Sequence, residues 1–339
     1  MADFEISGER IARGTRRTVD IPVSVFSDHT PVHLSAHVVH GKRPGPVMFV
    51  SAGIHGDEVI GMEIVRRLLK SKPLGALRGT LIAVPIVNTF GFLNHSRYLP
   101  DRRDLNRCFP GTTEGSMASR LAHIFMEEIV ARADFGIDLH SAAIHRTNLP
   151  QIRLTPGNAR LEEMGRAFAA PVMMQSSLRD GSLRMAAEEM GCDVLLYEAG
   201  EGLRFDEVAA RAGVAGILRV MNMRGMVGHK GIPKARGETL MCEGSTWARA
   251  PAGGLFRGYR GSGEMVVKGD VLGGISDPFG ELEYEVIAPW SGVVVGRTML
   301  PVVNEGDALF HIGRLPTSAD EPMEPEHHAP RLLDEDEII

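Results

Sequence analysis

The chain has 339 residues, of which 43% are hydrophobic and 24% charged, so it is long enough for one large domain and a smaller one. Its formal net charge of −6 disfavours a general nucleic-acid-binding protein, because phosphate contacts depend on clustered lysine and arginine. Cys108, Cys192 and Cys242 are widely spaced and form no CxxC pair, which favours a reducing compartment over disulfides or a cysteine zinc site.

Two features of the sequence bear on the subcellular location of the protein. The first residues show no basic-then-apolar signal segment, and no apolar run approaches the length needed to cross a bilayer. We therefore expect a soluble, cytoplasmic protein without a membrane or nucleic-acid partner. Residues 1–20 are polar and arginine-rich, and we interpret them as a solvated lead-in to the first strand.

The pattern of residues 21–228 predicts an α/β sheet with helices on both faces. Apolar or alternating runs predict strands at 32–39, 47–52, 81–87, 135–140, 149–154 and 194–197. Helical periods follow at 59–69, 182–190 and 205–223, and Ser116 and Asn158 are candidate caps of two further helices. Residues 88–111 show neither period, and long irregular segments inside a domain are often functional.

The composition changes after about residue 228, where glycine becomes frequent and the helical period ends. Residues 262–272 and 291–309 each contain a strand, a Gly-Asp turn and a further strand, which predicts a small, quasi-repeated β domain. We place a catalytic domain at 1–228 and a C-terminal β domain at 229–315. The acidic, proline-rich tail 316–339 is predicted to be disordered.

A metal site is indicated where the strand 47–52 runs into the helix 59–69. His55 and Glu58 lie in that connection, and open α/β sheets bind ligands at this edge. His140 ends another predicted strand. A strand-end histidine alone is more often a hydrogen-bonded polar residue, but parallel strands would bring His140 to His55 and Glu58. Two histidines and one glutamate leave a fourth position open, as in catalytic zinc sites. Asp138 is either a support for His140 or a structural hydrogen-bonding residue.

A catalytic zinc ion benefits from a nearby base. Glu198 follows the strand 194–197 and is the best candidate, with Glu201 as its rival. The segment 88–111 also concentrates four arginines beside Asn106. Guanidinium groups bind carboxylates in a bidentate manner and stabilise oxyanions, although a salt-bridged loop would use the same residues. The four arginines are Arg97, Arg102, Arg103 and Arg107.

Four motifs in order resemble the succinylglutamate desuccinylase/aspartoacylase family, a branch of the zinc carboxypeptidase-like fold. They are Gly-Ile-His55-Gly-Asp-Glu58, Asp104-Leu-Asn106-Arg107, Asp138-Leu-His140-Ser and Glu198-Ala-Gly, within a resemblance that covers about residues 30–225.

The resemblance implies roles for individual residues. His55, Glu58 and His140 would hold one zinc ion per chain, and Glu198 would be the general acid and base. Asn106 and Arg107 would bind a substrate carboxylate. The Arg97-Tyr98 step resembles the arginine that polarises the scissile carbonyl.

Two features qualify the resemblance. The segment between Arg97-Tyr98 and Asp104 is longer than in the best-known members, so Arg97 and Arg103 are both candidates for the carbonyl, and Arg103 is also a candidate substrate ligand. The C-terminal region is similar to a lipoyl-like barrel-sandwich domain, but Lys268 lacks the flanking pattern of an attachment site. We interpret this domain as a cover or an assembly surface, which makes a homo-oligomer plausible.

The sequence therefore predicts a zinc-dependent amidohydrolase that removes an acyl group from an N-acyl amino acid or similar small carboxylate through a metal-activated water. The alternatives are a metallocarboxypeptidase acting on short peptides and a non-catalytic binding protein. The acyl group is left open, because the pocket depends on loops that include residues 142–148 and 175–181.

Overall fold

The computed structural model describes residues 3–235 and 237–316, so the predicted disorder of the acidic tail lies outside the described residues from 317 onward. Among the helices of this described part, none has the length and apolar character required to span a bilayer. The strands in chain order are β1 Phe4–Ile6, β2 Glu9–Ile11, β3 Arg16–Val25, β4 Pro31–His40, β5 Arg43–Ala52, β6 Arg78–Val84, β7 Phe135–His140, β8 Arg146–Leu154, β9 Val172–Gln175, β10 Asp193–Gly200, β11 Leu240–Cys242, β12 Gly244–Arg249, β13 Gly254–Gly258, β14 Met265–Val266, β15 Val271–Ser276, β16 Glu283–Ile287, β17 Gly292–Thr298, β18 Val302–Val303 and β19 Ala308–Arg314.

Two helices carry the caps that their sequences predict, and a third is capped by Ser182 at its predicted start. Ser116 accepts a hydrogen bond from the backbone of Ser119, and Asn158 and Ser182 cap the next two helices in the same way. The α-helices are α1 Ile60–Leu69, α2 Thr89–Leu93, α3 Met117–Glu128, α4 Ala159–Phe168, α5 Leu183–Glu189 and α6 Glu207–Met223, and short 3-10 helices cover Lys72–Ala76, Leu105–Arg107 and Val130–Arg132.

A large mixed sheet organises the molecule. Its strands follow the order β12-β19-β17-β8-β10-β7-β5-β6-β4-β3. The four central strands β10, β7, β5 and β6 are parallel, whereas β8 and β4 flank them in the antiparallel direction. The carboxyl ends of the parallel strands therefore share one edge.

Helices cover both faces of this sheet, as the sequence predicts. Met48 and Val50 of β5 point into a core with α1, α4 and α6, whereas Phe49 points to the opposite core with α3 and α5. Alternate residues of one strand thus enter different cores, which explains why residues 47–50 of the strand are all apolar.

The interpretation of residues 1–20 as a solvated lead-in is wrong. β1 and β2 pair as an antiparallel hairpin, and β3 then begins at Arg16. Ile6 and Ile11 are fully buried against the α3 side of the sheet. These three-residue strands contain one buried residue each, so their pattern is too short to stand out among polar neighbours.

The segment 88–111 is more ordered than its sequence suggests. It contains α2 and the 3-10 turn Leu105–Arg107, which are both too short to produce a helical period. Asn88 caps α2 by accepting a hydrogen bond from the backbone of Gly91, and Asp104 caps the 3-10 turn through the backbone of Asn106.

An all-β region follows residue 239, as predicted. Its strands form a four-stranded sheet, β16-β15-β13-β18, and an extension of the large sheet through β12, β19, β17 and β14. Residues of both sheets share one core, including Phe256, Leu272, Val294 and Phe310. Because β17 pairs directly with β8, the large sheet continues across the predicted domain boundary.

Candidate metal and active site

His55, Glu58 and His140 meet at the carboxyl edge of the parallel strands. One ligand atom from each lies within 4.8 Å of the others, and all three side chains are buried. His55 and Glu58 occupy the connection between β5 and α1, and His140 is the last residue of β7. The structure thus brings together the three residues predicted as metal ligands.

Glycine at position 56 permits the turn between His55 and Glu58. A side chain there would collide with the backbone of Gly91 and Phe92 in α2. The His55–Glu58 connection is therefore packed directly against the segment 88–111, which supplies the arginines of the site.

The carboxylate of Glu58 lies between the two imidazoles. Its Oε1 is 2.6 Å from His55 Nδ1, and its Oε2 is 2.7 Å from His140 Nδ1. Burial raises the pKa of Glu58, but the two facing histidines outweigh burial and lower it below its ordinary value. Burial likewise lowers the pKa of each histidine, and the neighbouring carboxylates reverse that effect and raise it. The buried carboxylate of Glu58 is therefore stabilised in its ionised form by the two imidazoles that face it.

Each histidine is also held from its other side. His55 Nε2 lies 3.1 Å from Asp104 Oδ1, and His140 Nε2 lies 2.6 Å from Asp138 Oδ2. Ser51 donates a hydrogen bond of 2.7 Å to the second oxygen of Asp138. In metal sites, a carboxylate bonded to the second ring nitrogen of a histidine fixes the orientation of the ring. Asp104 and Asp138 both occupy that position.

A cavity of about 490 Å³ opens beside this cluster. Glu198 lines the cavity and pairs in register with His140 on the neighbouring strand. Its Oε2 accepts a hydrogen bond of 2.8 Å from Asn148 and lies 2.7 Å from Nη2 of Arg153. Glu201 points elsewhere, because it accepts from the backbone of His145 and pairs with Arg204.

The structure separates the arginines of the segment 88–111. Arg97 lines the cavity and donates to Glu58 Oε1 at 3.3 Å and to Asp104 Oδ2 at 3.0 Å. Arg103 is absent from the described residues that line the cavity. Its side chain is 59% exposed and lies 3.8 Å from Asp101.

Asn106 and Arg107 both line the cavity. Asn106 Oδ1 accepts a hydrogen bond of 2.9 Å from the backbone of Leu183, so it connects the segment 88–111 to the start of α5. Arg107 is exposed and donates to the backbone oxygen of Asn106. The predicted carboxylate-binding pair thus lies on the same cavity as the His-Glu-His cluster.

Further residues of the cavity were not identified from the sequence. Arg153 lies between two apolar residues of β8, Ile152 and Leu154, and this alternation was the available signal for a polar face. Arg184 is 8% exposed and its Nη1 has no hydrogen-bond partner among the described residues. The other cavity residues that sequence reasoning missed include Arg146, Asn148, Arg179, Ser245, Trp247 and His311.

The fold and site define an α/β protein with a buried His-Glu-His cluster at the carboxyl edge of its sheet. The sequence model of the protein family described as the succinylglutamate desuccinylase/aspartoacylase catalytic domain matches residues 44–224 of this chain. The chain belongs to that family.

Similar proteins are known from several bacteria. An N-alpha-acetyl-L-2,4-diaminobutyric acid deacetylase of Halomonas elongata is 27% identical, covering 81% of this chain and 84% of that protein. A succinylglutamate desuccinylase of Burkholderia cenocepacia is 29% identical over 45% of this chain and 49% of its own length. The crystal structure of a succinylglutamate desuccinylase/aspartoacylase from Rhodobacter sphaeroides has a TM-score of 0.78 and 25% identity, covering 89% of this chain and 96% of that one.

Proposed function

We propose that this chain is a zinc-dependent deacylase that hydrolyses the amide bond of an N-acyl amino acid or a similar small carboxylate. The observation that carries the proposal is the buried cluster of His55, Glu58 and His140, which opens onto a cavity lined by Glu198 and by several arginines. The deacylations named for the Halomonas and Burkholderia relatives support the same class of reaction.

The donor set of the cluster fits a zinc ion. Two imidazole nitrogens face one carboxylate, and the opposite nitrogen of each ring is held by Asp104 or Asp138. This combination of ligands and supporting carboxylates is typical of catalytic zinc, and we assign one ion per chain. When bound, such an ion acidifies water and polarises a carbonyl oxygen.

Glu198 is the proposed general base and acid. Asn148 and Arg153 hold its Oε2, and we assign proton transfer to its Oε1. There it would take a proton from the attacking water and return it to the leaving amine. Glu201 is not assigned this role, because its carboxylate bonds to the backbone of His145.

Arginines and an amide would hold the substrate. Arg97 lies beside Glu58, where its guanidinium would stabilise the negative charge that develops on the carbonyl oxygen. Asn106 and Arg107 would bind the carboxylate of the amino acid. Arg103 is left out of this arrangement, because its side chain is directed to Asp101 and solvent.

The location and the assembly of the protein are further proposals. Cys108, Cys192 and Cys242 are free thiols, which supports a reducing, cytoplasmic compartment. Self-association through the C-terminal β region stays a prediction.

The test is hydrolysis of a mixed panel with and without a zinc chelator. The panel contains acetyl-, succinyl- and formyl-amino acids beside short unblocked peptides. We expect chelator-sensitive release of free amino acid from the acylated compounds. Cleavage of the peptides alone would identify a metallocarboxypeptidase instead, and zinc-free protein without turnover would favour a non-catalytic binding protein.

A further inference from the structure

The amino ends of β5 and β6 carry exposed cations, at the opposite end of these strands from the His55–Glu58 connection. Arg43 begins β5, Arg78 begins β6, and the two residues are partners in the parallel register. Four further exposed cations lie near this pair. We call all six the basic face, and its members are Arg13, Lys42, Arg43, Lys70, Lys72 and Arg78.

The loop before β5 brings two of these cations to the edge. Gly41 donates a backbone hydrogen bond of 2.8 Å to Gly79, which sets Lys42 beside the start of β6. The side chain of Lys42 covers Gly14, where an added Cβ would lie 2.7 Å from Lys42 Cγ. Arg13 is therefore a neighbour of Lys42.

The end of α1 supplies the last two members of the basic face. Arg16 donates a hydrogen bond of 3.2 Å to the backbone oxygen of Leu69, which connects the end of α1 to the start of β3. Lys70 and Lys72 follow Leu69 closely in the chain, and both are exposed. Positive charge from four separate segments thus converges on one edge of the molecule.

The cations of the basic face lack carboxylate partners. None of the six side chains forms an ion pair with another residue in the ranges 3–235 and 237–316. The nearby Arg10 and Arg17, in contrast, are paired with Glu5 and Glu9. Asp134 directly precedes β7 at the same edge, but its carboxylate accepts a backbone hydrogen bond from β5. The basic face is therefore free to bind an anionic group.

The C-terminal tail of the chain has the opposite charge. Eight acidic residues and Arg331 follow Pro316, so this acidic tail contributes −7 to the formal charge of −6 and leaves +1 for the rest. Four of the acidic residues are consecutive, at positions 334–337. Because exposed charges attract each other over about 10 Å at moderate salt, the tail complements the basic face.

The cavity is a poorer partner for the acidic tail, although arginines line it as well. Its lining also contains three carboxylates, Glu58, Asp138 and Glu198. An acidic segment there would meet like charges in a space of low dielectric constant, where repulsion is strong. At the exposed basic face the same segment would meet unpaired cations and keep part of its hydration.

The acidic tail is long enough to reach the basic face. Leu315 packs beside Leu240 on one small core. From Leu240 the chain leads back to Met226, whose backbone oxygen accepts a hydrogen bond of 2.8 Å from Arg78. Residues 317–333 can span up to about 55 Å when extended, whereas a compact chain of this length has a radius of gyration of about 20 Å.

We propose that the acidic tail docks on the basic face of its own chain. Tethering gives the tail an effective concentration in the millimolar range at this face, so docking within one chain outcompetes docking on a second copy. Single exposed ion pairs are weak, and the docking depends on several of them at once. The docked tail would neutralise the edge opposite the cavity and shield it from other polyanions.

Carbodiimide cross-linking of the full chain tests this docking, because the reagent joins a carboxylate to a lysine only when they are in contact. Lys42, Lys70 and Lys72 report on the basic face, and the exposed Lys268 is the internal control. Lys268 lies three residues from Met265, which packs on the same core as Leu315, so proximity to the start of the tail would favour Lys268.

Monomers are separated from cross-linked dimers, and the joined peptides are quantified by mass spectrometry. We expect tail carboxylates of the monomer to couple to the lysines of the basic face with about tenfold or more the yield at Lys268. This excess should disappear at about 1 M salt, where charges are screened within a few ångströms.

A double variant then locates the contact. Arg43→Gln combined with Arg78→Gln removes charge from the basic face and keeps its lysines, so the yield at those lysines should fall about fivefold or more. Arg120→Gln combined with Arg257→Gln makes the same change of charge at two exposed arginines outside the basic face and should keep the wild-type yield. Thermal unfolding checks the folding of both variants.

Three results overturn the docking: yields at the basic face no higher than at Lys268, cross-links that form only between chains, or equal yields in the two double variants. Links within monomers that depend on Arg43 and Arg78 support it. The measurement needs neither substrate nor zinc, so its outcome is independent of the proposed deacylase activity.

Discussion

Arg153 and Glu198 form an ion pair of 2.7 Å across the antiparallel strands β8 and β10. Asn148 of β8 bonds to the same carboxylate oxygen. One oxygen of Glu198 is thus held from the neighbouring strand, and the other, Oε1, is the oxygen to which we assign proton transfer. A carboxylate held in this way on the wall of the cavity can take part in the proton transfer proposed above.

Glu198→Gln tests that assignment, because the amide preserves shape and removes the ability to take a proton. We expect kcat to fall by about 10²–10⁴-fold, the usual contribution of general acid–base catalysis, with zinc content unchanged. Glu201→Gln is the matched control and should retain wild-type kcat, since Glu201 bonds to the backbone of His145. Wild-type turnover by Glu198→Gln would remove this residue from the mechanism.

Asp138→Asn tests the support behind His140. Loss of the charge at the 2.6 Å contact should lower zinc affinity by about 10–100-fold, and excess zinc should restore much of the activity. Asp134→Asn is the control, because Asp134 directly precedes the opposite end of β7 and bonds to the backbone of Val47. Affinity is measured by competition with a chelator. Equal affinities of wild type and Asp138→Asn would show that Asp138 has only a structural role.

A comparison of Arg97 and Arg103 decides which arginine acts on the carbonyl. Arg97→Gln should lower kcat by about 10²–10³-fold, as expected for a lost donor to a developing oxyanion. Arg103→Gln should have little effect, because its side chain is directed to Asp101 outside the cavity. Steady-state kinetics on one N-acyl amino acid suffice. The opposite ranking would transfer the role to Arg103.

His311 should make stability depend on pH. Its pKa is about 3 in the folded chain, against an ordinary value of 6.5, because of burial and the charges of Arg153 and Arg146. Between these values the unfolded chain binds more protons, so this contribution is complete above about pH 6.5 and is lost as the pH falls towards 3.

Urea unfolding at pH 7 and pH 5 measures this effect. Wild type should lose on the order of 1–2 kcal/mol more unfolding free energy than His311→Gln between the two pH values. His229→Gln, a change at an exposed histidine, should keep the wild-type dependence. An identical loss in wild type and His311→Gln would contradict the buried neutral imidazole.

Local sequence was sufficient to predict the centre of the site. The strands that deliver His140 and Glu198 are apolar and end in polar residues, and parallel neighbours bring such ends together. The register pair of His140 and Glu198 confirms that logic. The His55–Glu58 connection was equally visible, because it separates a buried strand from an amphipathic helix.

The outer part of the cavity was not predictable in this way. Arg146 meets Trp247 only because β17 pairs with β8 across about 150 residues of chain. No local period encodes such a pairing. His311 lies in a strand of buried residues, where a histidine resembles any other core position. The short strands β1 and β2 were missed for a related reason, since each buries a single isoleucine.

The most direct measurement is the dependence of hydrolysis on zinc bound at the His55–Glu58–His140 cluster. Metal-stripped protein is reloaded with increasing zinc, and the release of amino acid from an N-acyl amino acid is followed. We expect activity to rise in proportion to bound zinc and to level off at one ion per chain, and His140→Ala to recover little activity at the same zinc concentrations. Stripped protein that retains the full rate, or His140→Ala that recovers it, would contradict a zinc-dependent deacylase at this site.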